Sequence, residues 1–514
     1  MSSFRLNPES YHVHMTNISP FVTNLDRPVF ALRNLPEEVV AVLFAYYSRS
    51  AEPLRENLRR LLEDGDIEAF AGGGCEDEDT LLNAREKARQ FHEKWVVGYG
   101  HGSVAEHAVV HLALEDVSIL ASKVIEDARL ASFTEKSTRY VVFDESRYHT
   151  PAEFPPSLDV PPSSVLRLLL GTYARLMPQV TAEVERRTPR KESQTERAWK
   201  AVCRSSACDI LRYLLPTATH TNLGITANAR TLEHLITKML SHPLAECRTL
   251  GAQIKDEART IVPTLIKYAD RSDYLAEAPG IINEYADVLP QVTPAEGPDV
   301  RLIRAPFEPE IDLATALLYD RGTLDWTVLR EAVAEWPRER VEAVLRSALA
   351  RKPEGMRGDH DQVLRHLEHL TYTFEITIDY GAFRDIHRHR MATQTRQRLT
   401  PDLGYSTPPE IAELGLLDDY RRCMDTAAEA FRELERTAPD AAPYVLPLAY
   451  RMRVLFTWNL REMDHFITLR SSRQGHASYR RIAQDVWKAL NRASPLLAEF
   501  IRVDMNDYRL ARDV

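Results

Sequence analysis

Arg388, His389 and Arg390 stand side by side in a chain whose formal charge is −10, with Arg384, His387, Arg396 and Arg398 close around them. Two planar guanidinium forks and an imidazole suit bidentate recognition of a phosphate or an electron-rich ring. A dense basic cluster on an acidic background fits a small anionic ligand, whereas a general nucleic-acid binder needs a broad basic surface. From the triplet alone, a solvated basic turn is the plainer reading. In the first half of the chain Ser132, Glu135, Ser137 and Arg139 form a polar run that can offer backbone N–H groups, hydroxyls and one guanidinium to a phosphate monoester. Its bland counterpart is a charged turn. Asn459, Arg461 and His465, with Arg470 beyond them, fall on a helix expected over residues 455–469, on a polar flank opposite Phe456, Leu460, Met463 and Ile467. By itself that pattern describes any amphipathic helix.

Other chemistries are excluded. Glu106-His107 and Glu368-His369, with His101, invite a metal reading, but adjacent His and Glu do not face one site on a helix, so no metal centre is expected. The five cysteines, Cys75, Cys203, Cys208, Cys247 and Cys423, are odd in number and lack ligand spacing, so neither a disulfide framework nor a zinc site follows. There is no nucleophile elbow, phosphate-binding P-loop or dinucleotide fingerprint. No apolar run is long enough to span a membrane, and residues 1–17 have no leader character; a cytoplasmic enzyme is expected.

The elements that must position these residues occur twice. Gly100-His101-Gly102-Ser103, Glu106-His107, the run from Ala131 to Tyr140, Leu215-Pro216 and Asn228-Ala229-Arg230 are echoed by Glu368-His369, the Arg388 triplet, Leu446-Pro447 and Asn459-Leu460-Arg461. Such a period sets the fold reading. The class is α/β (α+β) and helix-rich, in two tandem copies: residues 1–290 with an N-terminal helical extension, a linker at 291–299, and residues 300–514. Helical spacing covers 36–62 and 82–97, with a turn-like acidic stretch at 71–79 between them. Strands are expected at 109–114 and 370–376, each followed by a helical stretch, 118–129 and 380–388, that leads into the polar or basic loop. A strand is expected at 140–143, a proline-rich turn at 155–162 and a long amphipathic helix at 164–186. The charged residues 186–200 have no counterpart in the second copy, which opens with a strand at 300–303 and a helix at 312–319.

As an ordered set these motifs resemble the flavin-dependent thymidylate synthases, once per half, over most of residues 80–260 and 300–490. That family's signature is Arg-His-Arg, two variable residues, Ser, four more, then Ser-x-Arg, after a Gly-His-x-Ser stretch and before an Arg ahead of Leu-Pro and an Asn-x-Arg helix. The two halves depart from it in complementary ways. The first has Asp127-Ala128-Arg129 in place of the triplet and Met239 in place of the arginine that helps ionise uracil, yet keeps Ser103, Ser132, Glu135, Ser137, Arg139 and Arg212. The second keeps Arg388-His389-Arg390, Asn459, Arg461, His465 and Arg470. It has Arg398 and Thr400 in the Ser-x-Arg loop, Pro443 before Leu-Pro, and Arg365 for Ser103.

The resemblance implies one composite site per chain, built from both halves. It would methylate dUMP reductively to dTMP, using methylenetetrahydrofolate, NADPH and FAD. Arg470 would stabilise the N3-ionised ring by a charge-assisted hydrogen bond, making C5 nucleophilic without an enzymic thiol. Glu135, Ser137, Arg139, Arg212 and Arg388 would bind dUMP; Ser103, Glu135, Arg388, His389, Arg390, Asn459, Arg461 and His465 would bind FAD. Two chains would form a homodimer mimicking the family tetramer, with neither nucleic acid nor membrane as partner. One departure leaves the substrate open: Asp385 stands where the family usually has Gln, and a carboxylate repels phosphate or a uracil carbonyl unless an arginine intervenes. A related pyrimidine-nucleotide C5-modifying flavoenzyme, or a decayed homologue that binds flavin or nucleotide as a regulator or scaffold, are the rival readings.

Overall fold

The computed structural model of the 514-residue chain describes residues 17–48, 50–63, 102–155, 161–286, 288–289 and 297–508. The expected 71–79 turn and 82–97 helix, His101, Cys75, much of the proline-rich turn and most of the 291–299 linker lie outside the described residues.

The repeat is written in the strands. β1 (Val109–Ser118), β2 (Ala131–Glu135) and β3 (His220–Asn228) form a sheet of order β1-β3-β2. β4 (Val300–Arg304), β5 (Thr371–Asp379), β6 (Thr393–Arg396) and β7 (Arg451–Asn459) form a sheet of order β4-β5-β7-β6. β5, β7 and β6 thus repeat the order of β1, β3 and β2, with β4 added at an edge. Register is held by alternation: Thr221, Leu223, Ile225 and Ala227 are the buried residues of β3, and Met452, Val454, Phe456 and Trp458 are those of β7. A one-residue slip would expose every one of them.

Helix starts repeat as well. Ser118 and Asp379 accept the N–H groups of Ala121 and Ala382 at 2.9 and 2.7 Å, and Asn228 and Asn459 accept those of Thr231 and Glu462, both at 2.8 Å. Each supplies an acceptor to an otherwise orphaned first-turn donor.

Three expected boundaries are corrected. The helix placed at 455–469 is Leu460–Arg470, because Leu455 to Asn459 pair with Glu375 to Thr371 in the ladder. Asn459 therefore caps that helix rather than lining its flank. The strand placed at 140–143 is a turn, in which the Tyr140 and Val141 N–H groups both reach Ser137 O, at 3.4 and 3.1 Å, while the strand is β2 itself. The helix placed across 36–62 is two, Glu37–Tyr47 and Leu54–Glu63; Pro53 between them disfavours helical geometry in the residue before it.

The chain forms two compact units, residues 1–114 with 130–134 and 224–284, and residues 115–129 with 135–223 and 285–514. In the first, Ile18, Phe21, Val39, Leu43, Leu54 and Leu58 form a small core, and Glu38 accepts the N–H and hydroxyl of Thr264 at 2.9 and 2.8 Å. In the second, Ile119, Leu169, Tyr173 and Leu211 of the first copy share one continuous core with Phe374, Phe383, Phe431 and Trp458 of the second.

That unit has a local two-fold at its centre, where Pro216 faces Pro447. The Thr217 N–H donates to Leu446 O at 3.0 Å and the Leu448 N–H to Leu215 O at 2.9 Å; the Ala218 N–H reaches Tyr444 O and the Ala449 N–H reaches Tyr213 O, both at 3.2 Å. The two Leu-Pro motifs therefore clasp each other, and residues from both copies meet on either side.

Candidate active site

The short helices Ile119–Ile125 and Tyr380–Ile386 each lead into a triplet, Asp127-Ala128-Arg129 or Arg388-His389-Arg390. Four residues before each triplet stands a cation, Lys123 or Arg384, and both point at Glu135. Lys123 Nζ donates to Oε2 at 3.0 Å, Arg384 Nη2 to Oε1 at 2.8 Å, and Arg388 Nη2 lies 3.5 Å from Oε2. Burial alone would raise the Glu135 pKa, but the Arg384, Lys123 and Arg388 charges outweigh it and hold it at about 2. Glu135, expected among the ligand contacts, is thus enclosed by cations, and it orients Arg388, whose own side chain stays 44 % exposed.

Arg139 grips Asp209 with two parallel bonds of 2.9 and 3.0 Å and donates from Nη1 to the Tyr479 hydroxyl at 2.6 Å. The same Tyr479 ring lies 5.4 Å from the Arg470 guanidinium carbon, within cation–π range. One aromatic ring therefore joins Arg139 of the first copy to Arg470 of the second. Ser137 Oγ accepts the Arg139 N–H at 3.2 Å and closes the loop.

Arg212 is only 1 % exposed and donates from Nη1 to Asp385 Oδ2 at 3.1 Å, while its Nε and Nη2 have no hydrogen-bond partner among the described residues. Burial pushes the Asp385 pKa up, but Arg212, Arg139, Arg470 and Arg388 hold it well below the carboxylate range. The arginine that Asp385 required beside it is therefore present.

His389 is buried between Glu462 and Arg470, Nδ1 lying 2.9 Å from Glu462 Oε1 and Nε2 accepting the Arg470 Nε–H at 2.8 Å. Phe466 meets its ring edge-on at 5.2 Å, continuing a stack through Trp458 and Phe456. Desolvation lowers the His389 pKa to about 4, against a partial rise from Glu462.

Of the remaining cofactor candidates, Arg390 is half-buried and His465 is exposed, its ring 5.3 Å from that of His389. Arg461 donates to Val363 O at 3.0 Å and to Glu368 at 2.9 Å, and Asn459 serves as a cap. Ser103 belongs to the first unit, exposed ahead of the 3-10 turn Val104–His107. A cavity of 480 Å³ in the second unit is lined by Arg139, Tyr213, His476, Arg480 and Tyr508; among the expected site residues only Arg139 borders it.

The symmetry-related position is built differently. Asp127 accepts from Arg396 at 2.8 and 3.1 Å and from His387 at 2.5 Å, Thr400 accepts the Asp402 N–H, and Met239 in the first unit is fully buried. The four described cysteines, Cys203, Cys208, Cys247 and Cys423, are buried and take part in none of these contacts. Reading the sequence motif by motif missed Tyr479, Asp209, Lys123 and Glu462. Only Lys123 left a signal, its place matching that of Arg384.

The sequence profile of the thymidylate synthase complementing protein family matches residues 46–264 and 323–496. The chain is 34 % identical to a UPF0159 protein of Chlamydia muridarum over 96 % of both chains. It is 30 % identical to a UPF0159 protein of Thermoplasma acidophilum, over 83 % of this chain and 91 % of that one. A flavin-dependent thymidylate synthase of Thermococcus kodakarensis is 28 % identical over 31 % of this chain and 57 % of its own length. With its profile found twice along the sequence, the chain belongs to the thymidylate synthase complementing protein family, that of the flavin-dependent thymidylate synthases.

Proposed function

We propose that the second unit carries one active site per chain, which methylates dUMP at C5 reductively to dTMP with methylenetetrahydrofolate and NADPH as co-substrates and FAD as cofactor. The observation that carries this reading is Tyr479 between Arg139 and Arg470: the residues retained in opposite halves of the sequence meet in one unit.

The donor set fits an anionic flavin dinucleotide, since Arg388 and His465 are exposed and Arg390 is half-buried beside them. When bound, flavin would supply the hydride chemistry while the protein orients the reactants. Arg388, aimed by Glu135, would lie against nucleotide and cofactor. Arg139 and Ser137 would hold the nucleotide phosphate, and Arg212 would add long-range positive potential behind Asp385. Arg470 would place its Nη donors on the pyrimidine anion, strengthening as charge develops on N3 and O2. No thiol is needed.

The copies would meet at residues 291–299, and two chains would pair as a homodimer. Among the described residues no helix is long and apolar enough to cross a membrane; a cytoplasmic location is part of the proposal.

Incubation with FAD, NADPH, methylenetetrahydrofolate and dUMP should yield dTMP by mass. Flavin binding and reduction without dTMP would instead point to another pyrimidine nucleotide or to a non-catalytic relative. Asp385 favours testing the first of these, because its carboxylate, held ionised beside Arg212, can only accept where Gln would have offered a donor as well.

A further inference from the structure

Arginine can only donate, so the Arg470 Nε–H at 2.8 Å requires a lone pair on His389 Nε2. The proton of the neutral imidazole then sits on Nδ1, 2.9 Å from Glu462 Oε1. Glu462 and Arg470 lie on one helix, Leu460–Arg470, and His389 bridges them from the triplet loop with Phe466 packed against its edge. Neither Nη nitrogen of Arg470 has a hydrogen-bond partner among the described residues.

The first copy supplies an internal comparison. Asn228 caps Thr231 as Asn459 caps Glu462, so Thr231 occupies the place of Glu462. In that copy the glutamate, the histidine and the arginine are Thr231, Ala128 and Met239. All three members differ together, as expected of groups that act as one.

We propose that Glu462 is a positioning residue: by accepting the Nδ1–H of His389 it fixes the imidazole tautomer whose Nε2 holds Arg470 Nε, leaving the Arg470 Nη pair to face the pyrimidine ring. This rests on the reading of Arg470 given above. A ligating histidine held by a carboxylate behind it is the analogous arrangement at metal sites, where losing the carboxylate costs about 10–100-fold.

Protein labelled with ¹⁵N-histidine, with His389 assigned through His389→Gln, should show a protonated Nδ1 and an unprotonated Nε2 from neutral to mildly alkaline pH. Glu462→Ala should mix the tautomers and speed exchange of the Arg470 Nε–H. It should lower kcat by about 10–100-fold while dUMP and FAD affinities change by less than about threefold. Glu462→Gln, which keeps an acceptor, should recover the tautomer and most of kcat. A protonated Nε2 in the wild type, unchanged kcat in Glu462→Ala, or equal losses of binding and turnover would each overturn the proposal. Absence of dTMP from the wild type would sink the functional reading alone, since the imidazole and Arg470 signals are read without turnover.

Discussion

Arg396 donates to both carboxylate oxygens of Asp127, at 2.8 and 3.1 Å, and the pair occupies the places that Glu135 and Arg388 hold across the local two-fold, with the charges exchanged. On one side the first residue of the triplet is a guanidinium; on the other it is a carboxylate, further engaged by His387. A phosphate is attracted to the first place and repelled from the second. Calorimetric titration with dUMP should therefore give about one site per chain, as counted by residues. Two equivalent sites would show that the exchanged pair does not close the second position.

Arg139 and Arg470 lie far apart in sequence but touch one tyrosine within one compact unit. Arg139→Ala and Arg470→Ala should each lower turnover by on the order of 10²–10³, the usual cost of removing a charge-stabilising donor. Mixing the two inactive variants should restore nothing, because each chain lacks part of its own site. Recovery of activity on mixing would place the site between chains instead.

The order of motifs along the chain was enough to recognise the duplication and the complementary losses, because sequence position carries that information. It could not show which charges meet. Asp209 and Tyr479 look like ordinary helix residues until the chain brings them to Arg139, and Glu135 reads as a ligand contact until Lys123 and Arg384 enclose it. The 455–469 helix was misplaced for a related reason: Leu455 to Asn459 satisfy helical and strand periodicity alike, and the ladder with β5 decides between them. The division into units that cut through the first copy had no signature in composition at all.

Tyr479 separates two contributions that arginine substitutions remove together. Tyr479→Phe keeps the ring under Arg470 but deletes the acceptor of the 2.6 Å bond from Arg139. It should weaken dUMP binding by a few-fold, corresponding to about 1 kcal/mol, with kcat nearly unchanged. Tyr479→Leu removes the ring too, and kcat should fall as well. Identical kinetics for the two variants would mean that the ring contributes nothing to Arg470.

Acid should destabilise the second unit over two overlapping pH ranges. Unfolded histidines protonate near 6.5, whereas burial holds His389 at about 4 and His476 at about 3 in the fold. As pH falls below 6.5 the unfolded chain takes up protons that the native imidazoles refuse, so stability drops by about 1.4 kcal/mol per pH unit for each such histidine until the native pKa is reached. Glu135 acts lower down: its native pKa of about 2, against 4.5 unfolded, gives stability that is full above 4.5 and lost as pH falls toward 2. Urea unfolding across this range should show a decline beginning below 6.5, made shallower in His389→Gln by the loss of one histidine's share, and steepening below 4.5. Glu135→Gln should flatten the steeper part of the decline but lower stability at neutral pH by about 3–5 kcal/mol, since Arg384 is left buried without its counter-charge while Lys123 keeps only Glu126. Stability that rose on acidification from 6.5 to 4 would mean that the buried imidazoles are charged in the native protein, and the His389 acceptor for Arg470 would be lost with them.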